Sequence, residues 1–340
     1  MKSDLAFPLG LDPAPGQAVP VADRMLWARL PVPGQLRHVN VWLLDEGDGW
    51  SLVDTGLGIP ESLAAWEGPL AAALGGRPIR RVVCTHHHPD HAGLASHFAG
   101  RDGAEVLMSA GEHAIMRRIE RAWHDDAVAD ARLAAIEGEG AVVDGEMRAF
   151  VRLERYRTVM SGIPGAVTYV DDGAELELGD RPWRVRIVGG HTDAQLVLHS
   201  ARDGLLISGD QVLPRITSNV GVYPERGDAD PVDSYVRSFD LLERLPEDVL
   251  VLPAHGNPFR GLHVRTADLR AHHRETLAQI AALLDVPQTA AELAKRLFTR
   301  PLDALNTYLA IGETLAHLRR LVAAGEAVLE TGAPNRYRRA

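Results

Sequence analysis

The chain has 340 residues, more than one ordinary domain needs and fewer than three, so a large catalytic-sized domain with a small companion is expected. Hydrophobic residues make up 46% and charged residues 24%, which excludes disorder, collagen-like repeats and a disulfide scaffold. The formal net charge of −10 argues against a phosphate-tracking surface, and no apolar run reaches the ~18–20 residues that span a bilayer.

The first residues, MKSDLAFPLGLDPAPGQ, contain no continuous apolar stretch and do not read as a signal peptide. The lone cysteine, Cys84, cannot form an internal disulfide, which fits a reducing compartment, and a cytoplasmic location is expected. Residues 38–45 and 50–54 read as two strands of a hairpin joined at Glu46–Gly49. A helix is predicted over 61–74, a short apolar strand over 80–85 and a helical run over 92–98. Helices over 111–136 and 145–161 form an insert at about 111–161. Strand-like runs follow at 167–170, 174–178, 183–188, 195–200 and 204–208, several of them separated by Asp-Gly or Gly-Asp turns. A helix over 232–246 precedes a strand at 248–253. A long helix over 266–285 then ends before Pro287. The tail reads as helices over 290–298 and 305–324, a strand at 327–330, a Gly-Ala-Pro turn and a basic strand-like end. The expected units are therefore 1–286 and 287–340. The second carries eight Lys/Arg against five Asp/Glu, a net +3 that leaves −13 for the rest.

The strongest signal is one heptad, Thr85-His86-His87-His88-Pro89-Asp90-His91, on a strand-to-helix loop where rigid scaffolds usually mount chemistry. His86 and His88 share a face of an extended backbone, while His87 points away and is left out of the ligand set. Asp90 and His91 follow the turn at Pro89 and can aim at a second point nearby. Imidazole and carboxylate ligands suit zinc, iron or manganese rather than calcium. Two ions need further ligands, and three other apolar strands end in a small residue beside a His or Asp. These are Gly189-Gly190-His191-Thr192, Ser208-Gly209-Asp210 and Pro253-Ala254-His255-Gly256. His97, His113, His124, His272, His273 and His317 lack clustered partners and read as ordinary solvated histidines.

In this order the residues resemble the metallo-β-lactamase-fold superfamily, whose hallmark His-x-His-x-Asp-His is followed by a later His, an Asp and a final His. Val53-Asp54-Thr55-Gly56 matches its early Asp motif, and the match runs over residues of about 38–265. The resemblance implies an α+β fold, a four-layer αββα sandwich with metals at one edge. It also implies a glyoxalase II-like ligand set with a small winged-helix C-terminal module. His86, His88 and His191 would hold one divalent ion, Asp90, His91 and His255 the other, and Asp210 would bridge, with Asp54 orienting ligands. The ions are expected to be zinc, with iron or manganese as alternatives. Cys84 lies inside the strand before the motif and reads as a small buried hydrophobe, not the Cys ligand of antibiotic-hydrolysing relatives. The family's Pro-Gly-His after the His191 motif is here Asp193-Ala194-Gln195, which puts details of the pocket in question.

Such a centre implies hydrolysis by a metal-bridging water, with Asp90 as a candidate general base. The acidic body and the apolar run after Asp210 favour an ester or thioester of a small acyl substrate. Arg215, Asn219 and Tyr223 are candidate pocket residues, and His263 a candidate support for the ligands. The insert arginines Arg117, Arg118, Arg121, Arg152, Arg155 and Arg157 either recognise an anion from a lid or decorate a solvated cover, the reading their Glu/Asp neighbours favour. Two alternatives stand beside thioester hydrolysis: a phosphodiesterase or endoribonuclease acting on single-stranded RNA, and a non-catalytic ligand-binding or partner-binding role. No membrane association is expected, and the sequence leaves the oligomeric state open.

Overall fold

The computed structural model describes residues 5–340, apart from the side chain of Arg155. The first four residues of the N-terminal segment and the Arg155 side chain, both considered above, lie outside the described set. Strands β1 (Ala18–Ala22), β2 (Met25–Val32), β3 (Arg37–Asp45) and β4 (Trp50–Val53) run antiparallel. Helices α1 (Pro60–Glu67) and α2 (Pro69–Leu74) lead to β5 (Ile79–Val83). The short α3 (Pro89–Ala92) and α4 (Ala95–Asp102) precede β6 (Glu105–Met108). Strands β4, β5 and β6 are parallel neighbours, and β7 (Thr168–Tyr169) completes a seven-stranded sheet in sequence order.

Between β6 and β7 lies the insert: α5 (Ala110–His124), α6 (Asp126–Gly138), α7 (Gly145–Val151) and α8 (Glu154–Thr158). The two long helices expected here are four. Asp125 leaves the helix and turns its carboxylate onto the Ala127 and Val128 amides, an N-cap that ends α5 and starts α6. The second sheet holds β8 (Glu175–Glu177), β9 (Pro182–Val188), β10 (Gln195–Ser200) and β11 (Leu205–Gly209). It is completed, beyond α9 (Pro231–Leu242), by β12 (Leu250–Pro253), in the order β12–β11–β10–β9–β8.

Three apolar layers make this an αββα sandwich. Trp66, Leu70 and Phe98 of the first helices cover the outer face of the first sheet beside Val82 and Cys84. Trp27, Trp42, Trp183, Leu196 and Leu198 fill the space between the sheets. Tyr235 and Phe239 of α9, with Leu269 of α10 (Leu262–Leu283), close the second sheet over Val197 and Leu206. Each fully buried Leu or Phe in these layers contributes about 1.5–3 kcal/mol relative to exposure. Strand β2 is buried on both faces over much of its length, so its sequence shows no alternation to mark it.

The tail comprises α11 (Ala290–Leu297), α12 (Ala304–Ala323) and a hairpin of β13 (Ala327–Glu330) with β14 (Arg336–Arg339). It shares one core with the insert: Leu133, Met147 and Val151 pack with Ile280, Leu293, Ile311 and Leu318. The tail is thus fastened to α6 and α7 of the insert. No helix among the described residues is long and apolar enough to cross a membrane.

Candidate metal centre

Every expected ligand sits where an apolar strand ends, and all those ends meet at one edge of the sandwich. The loop after β5 brings His86, His88, Asp90 and His91, that after β9 brings His191, β11 ends at Asp210 and β12 at His255. Gly190, which sets His191, has φ +108°, and a Cβ there would lie 2.3 Å from Tyr235 Cβ. Only glycine allows this close approach of loop to helix.

The donors form two groups: His86, His88, His191 and Asp210, and Asp90, His91 and His255, with the ligand atoms of each within 4.8 Å of one another. In the first, His86 Nε2 is 3.0 Å from His88 Nδ1, and His191 Nε2 is 3.3 and 3.1 Å from those two atoms. A tetrahedral ion with metal–nitrogen bonds of about 2.0–2.1 Å requires nitrogen edges of roughly 3.3 Å, so the trio fits one. In the second group, His255 Nε2 is 3.3 Å from Asp90 Oδ2, and His91 Nε2 is 3.6 Å from the same oxygen. Asp210 faces both groups. Its Oδ2 is 3.4 Å from His191 Nε2 and its Oδ1 3.4 Å from His255 Nε2. Among the described residues, the buried His91 Nε2, His255 Nε2 and Asp210 Oδ1 have no hydrogen-bond partner. Buried polar atoms are rarely left so, and here all three converge on one point.

In four of the five imidazoles the nitrogen turned away from the centre is held, which fixes which nitrogen faces it. His91 Nδ1–H donates to Asp54 Oδ2 at 2.8 Å, His191 Nδ1–H to the Asn219 carbonyl at 2.8 Å and His255 Nδ1–H to the His38 carbonyl at 2.7 Å. Asp54 also accepts from the Thr85 amide (2.8 Å) and hydroxyl (2.9 Å), and the Thr85 oxygen meets His86 Nδ1 at 3.0 Å. Asp54 holds φ +64°, a backbone state that Asp tolerates better than most residues.

The two groups differ electrostatically. Burial, helped by neighbouring imidazoles, drives His86 and His88 well below the ordinary histidine range, so they stand neutral and ready to ligate. Burial opposes charge on His255 too, but Asp210 and Asp90 outweigh it and push the group up to about 10. His91 is raised by Asp90, Asp54 and Asp210 in the same way, against its burial. A cation entering this second group must displace protons. In the metal-free chain the raised His255 contributes stability that is full below its ordinary 6.5 and is lost as pH rises through about 10. Metal titration at pH 7 should therefore release protons, measured calorimetrically in buffers of different ionisation enthalpy, and affinity should fall on acidification. Binding with no proton release would contradict this charge distribution.

Several supporting residues escaped the sequence reading. Glu112 in the first turn of α5 is fully buried and accepts from the His87 amide (3.0 Å), His87 Nδ1–H (2.6 Å) and the Ala194 amide (2.8 Å). It ties the heptad loop to the His191 loop, and it explains why His87 points away from the centre. Its sequence signal, Ser109 three residues earlier, reads only as a helix cap, a role that Ser109 also plays. Arg226 donates to Asp193 and to the His191 and Gly190 carbonyls. It holds the Asp193-Ala194 segment that replaces the family's Pro-Gly. Tyr156 donates its hydroxyl to the His87 carbonyl.

Other expectations are placed differently. His263 donates from Nε2 to the Leu245 carbonyl at 3.0 Å and faces Glu247, so it supports α10 and not the ligands. Arg215 is exposed, with its guanidinium over the Phe7 ring. Asn219 does reach the centre, through its carbonyl on His191, and Tyr223 donates to its side chain at 2.6 Å. Of the insert arginines, Arg117 pairs with Glu120 and Arg152 with Asp126 and Asp130, while Arg118 donates to the Glu225 carbonyl. Arg117 and Arg152 are spent on the cover itself, and Arg118 ties the cover to the loop that follows Asp210. Cys84 is fully buried in the core, as a small hydrophobe would be.

The model of the metallo-beta-lactamase superfamily matches residues 34–255. The chain belongs to the metallo-β-lactamase superfamily. A second model, the metallo-beta-lactamase-like C-terminal domain, matches 277–340. Among members of the superfamily, the chain is 27% identical over 295 residues to the Bacillus subtilis protein named "Probable metallo-hydrolase YqjP", covering 85% of this chain and 89% of that one. It is 28% identical over 246 residues to "Acyl-coenzyme A thioesterase MBLAC2" of Gallus gallus, covering 71% and 80%. The crystal structure of a beta-lactamase domain protein from Burkholderia ambifaria superposes with a TM-score of 0.86 at 35% identity, covering 99% and 98% of the two chains. A metallo-beta-lactamase family protein from Thermus thermophilus gives a TM-score of 0.81 at 31% identity, covering 94% and 99%.

Proposed function

We propose that the protein is a di-metal hydrolase of the glyoxalase II-like branch, with zinc as its native ion, that cleaves an ester or thioester of a small acyl substrate. The observation that carries this reading is Asp210, whose two oxygens face two separate trios of ligands. The sequence likeness to the Gallus gallus acyl-coenzyme A thioesterase supports the thioester.

His86 Nε2, His88 Nδ1 and His191 Nε2 would hold the first ion, and Asp90, His91 and His255 the second, with Asp210 between them. When bound, such ions supply a water-derived nucleophile at neutral pH and polarise the substrate's carbonyl oxygen. The chain's own residues do the rest. Asp54, Asn219 and His38 keep three ligating imidazoles in the required tautomer. Asp90, partly exposed at the rim, takes up the attacking water's proton at a carboxylate oxygen. Tyr223 and Asn219 form the wall beside His191, and the acyl–sulfur bond breaks to leave a carboxylate and a thiol.

The tail supports this reading more than a nucleic-acid one. The helix that a winged-helix module would offer to a groove, α12, buries Tyr308, Ile311, Leu315, Leu318 and Leu321, and Arg320 is paired with Asp230 and Asp233. A panel of acyl thioesters with glutathione, CoA and simple thiol leaving groups, assayed with and without chelator, tests the proposal. Chelator-sensitive turnover that prefers one thiol is expected. Silence across the panel from metal-loaded protein that cleaves single-stranded RNA would overturn it.

A further inference from the structure

Between the insert and the tail lies a cavity of about 290 Å³ that the metal centre does not use. Its walls are apolar: Val142 and Met147 from the insert, and Ala294, Phe298 and Ile311 from α11, α12 and the turn between them. Two cations stand on its lining, Lys295 and Arg300, both exposed. Elsewhere in the tail Arg336 pairs with Glu292, Arg338 with Glu330 and Arg339 with Asp285. Lys295 and Arg300 have no ion-pair partner among the described residues, and Arg300 reaches only the neutral side-chain oxygen of Gln35, at 3.3 Å. In a chain of net charge −10, two uncompensated cations on an apolar hollow mark it for an anion with a hydrophobic tail. Val142, 83% exposed, adds an apolar side chain held in solvent at the same place.

We propose that this cavity binds an aliphatic carboxylate of medium length, its chain against Met147, Ala294, Phe298 and Ile311 and its charge on Lys295 and Arg300. At about 30 Å³ for a water-sized group, the volume takes roughly nine or ten heavy atoms, the size of octanoate. Small-molecule sites have this build, apolar walls with a few placed polar groups. The site is separate from the metal centre, and its occupant joins the insert to the tail, the two elements that share a core behind the metal loop.

Calorimetric titration of the metal-loaded full-length chain with butanoate, octanoate, dodecanoate and octanol tests it. Saturable octanoate binding at one site per chain is expected, tightening about fourfold per methylene from butanoate until the cavity is full, with octanol markedly weaker. Thr307→Trp, which fills the lining, should abolish binding, and Lys295→Glu at the exposed rim should weaken it about fivefold. Neither change should alter metal content or thermal melting. Lys295→Glu carries the test by itself if the tryptophan variant fails to fold. Absence of saturable binding, equal binding of octanol, or octanoate binding that survives Thr307→Trp and vanishes with chelator would each overturn the proposal. The last result would place the carboxylate on the metals.

Discussion

Replacing Asp210 by alanine should remove at least one of two bound ions and lower hydrolytic turnover by more than about 100-fold. Residues that merely orient a ligand commonly change metal affinity or activity 10–100-fold, and Asp210 faces both trios directly. Its loss also frees His91 and His255 from one of the carboxylates that hold them charged. Elemental analysis of the purified variant beside an assay on the preferred thioester checks both effects. Retention of both ions with near-native turnover would contradict the bridging role.

The second large effect is expected at a residue that touches no metal. Glu112→Ala should destabilise the fold by about 3–5 kcal/mol, because three buried donors lose their acceptor at once: the His87 amide, His87 Nδ1–H and the Ala194 amide. The consequence reaches the centre, since these bonds hold both the heptad loop and the His191 loop. Chemical denaturation should show the loss, and metal affinity should fall with it. Burial works against the Glu112 charge, yet His87 and the backbone donors hold the group at about 2, against an ordinary 4.5. A depressed carboxylate contributes stability that is full above 4.5 and is lost as pH falls through about 2. The wild type should therefore lose more stability on acidification across that window than Glu112→Ala does. Parallel acid dependence in the two proteins would show that Glu112 is not the strap.

The donor cluster was legible because its chemistry is dense. Four donors within six residues, and three more beside glycine or alanine at strand ends, are hard to arrange by chance in a core. Most strands and helices from residue 38 onward followed from alternation, turn dipeptides and helix punctuation, and the hairpin at 45–50 and the tail's two helices lie where those signals put them, but the four-residue β6 was missed and the insert's four helices read as two. Strands β1 and β2 were not legible: β2 is buried on both faces over much of its length and has no alternation to read, and the five-residue β1 carries a proline at its centre. The buttresses were hidden for another reason. Glu112 and Arg226 look like a helix-cap neighbour and a loop arginine, and only the tertiary fold brings them within hydrogen-bond reach of loops 82 and 35 positions away. His263 shows the converse error. Nearness in sequence to His255 suggested a supporting role, but the turn into α10 carries it to the Leu245 carbonyl.

An anomalous-scattering crystal structure of the metal-loaded protein tests the central claim most directly. Two peaks are expected. One should lie about 2.0–2.1 Å from His86 Nε2, His88 Nδ1 and His191 Nε2, the other at similar distances from Asp90, His91 and His255, with an oxygen of Asp210 reaching each. A single peak, or a second ion away from His91 and His255, would contradict the two-ion account and the hydrolytic chemistry built on it.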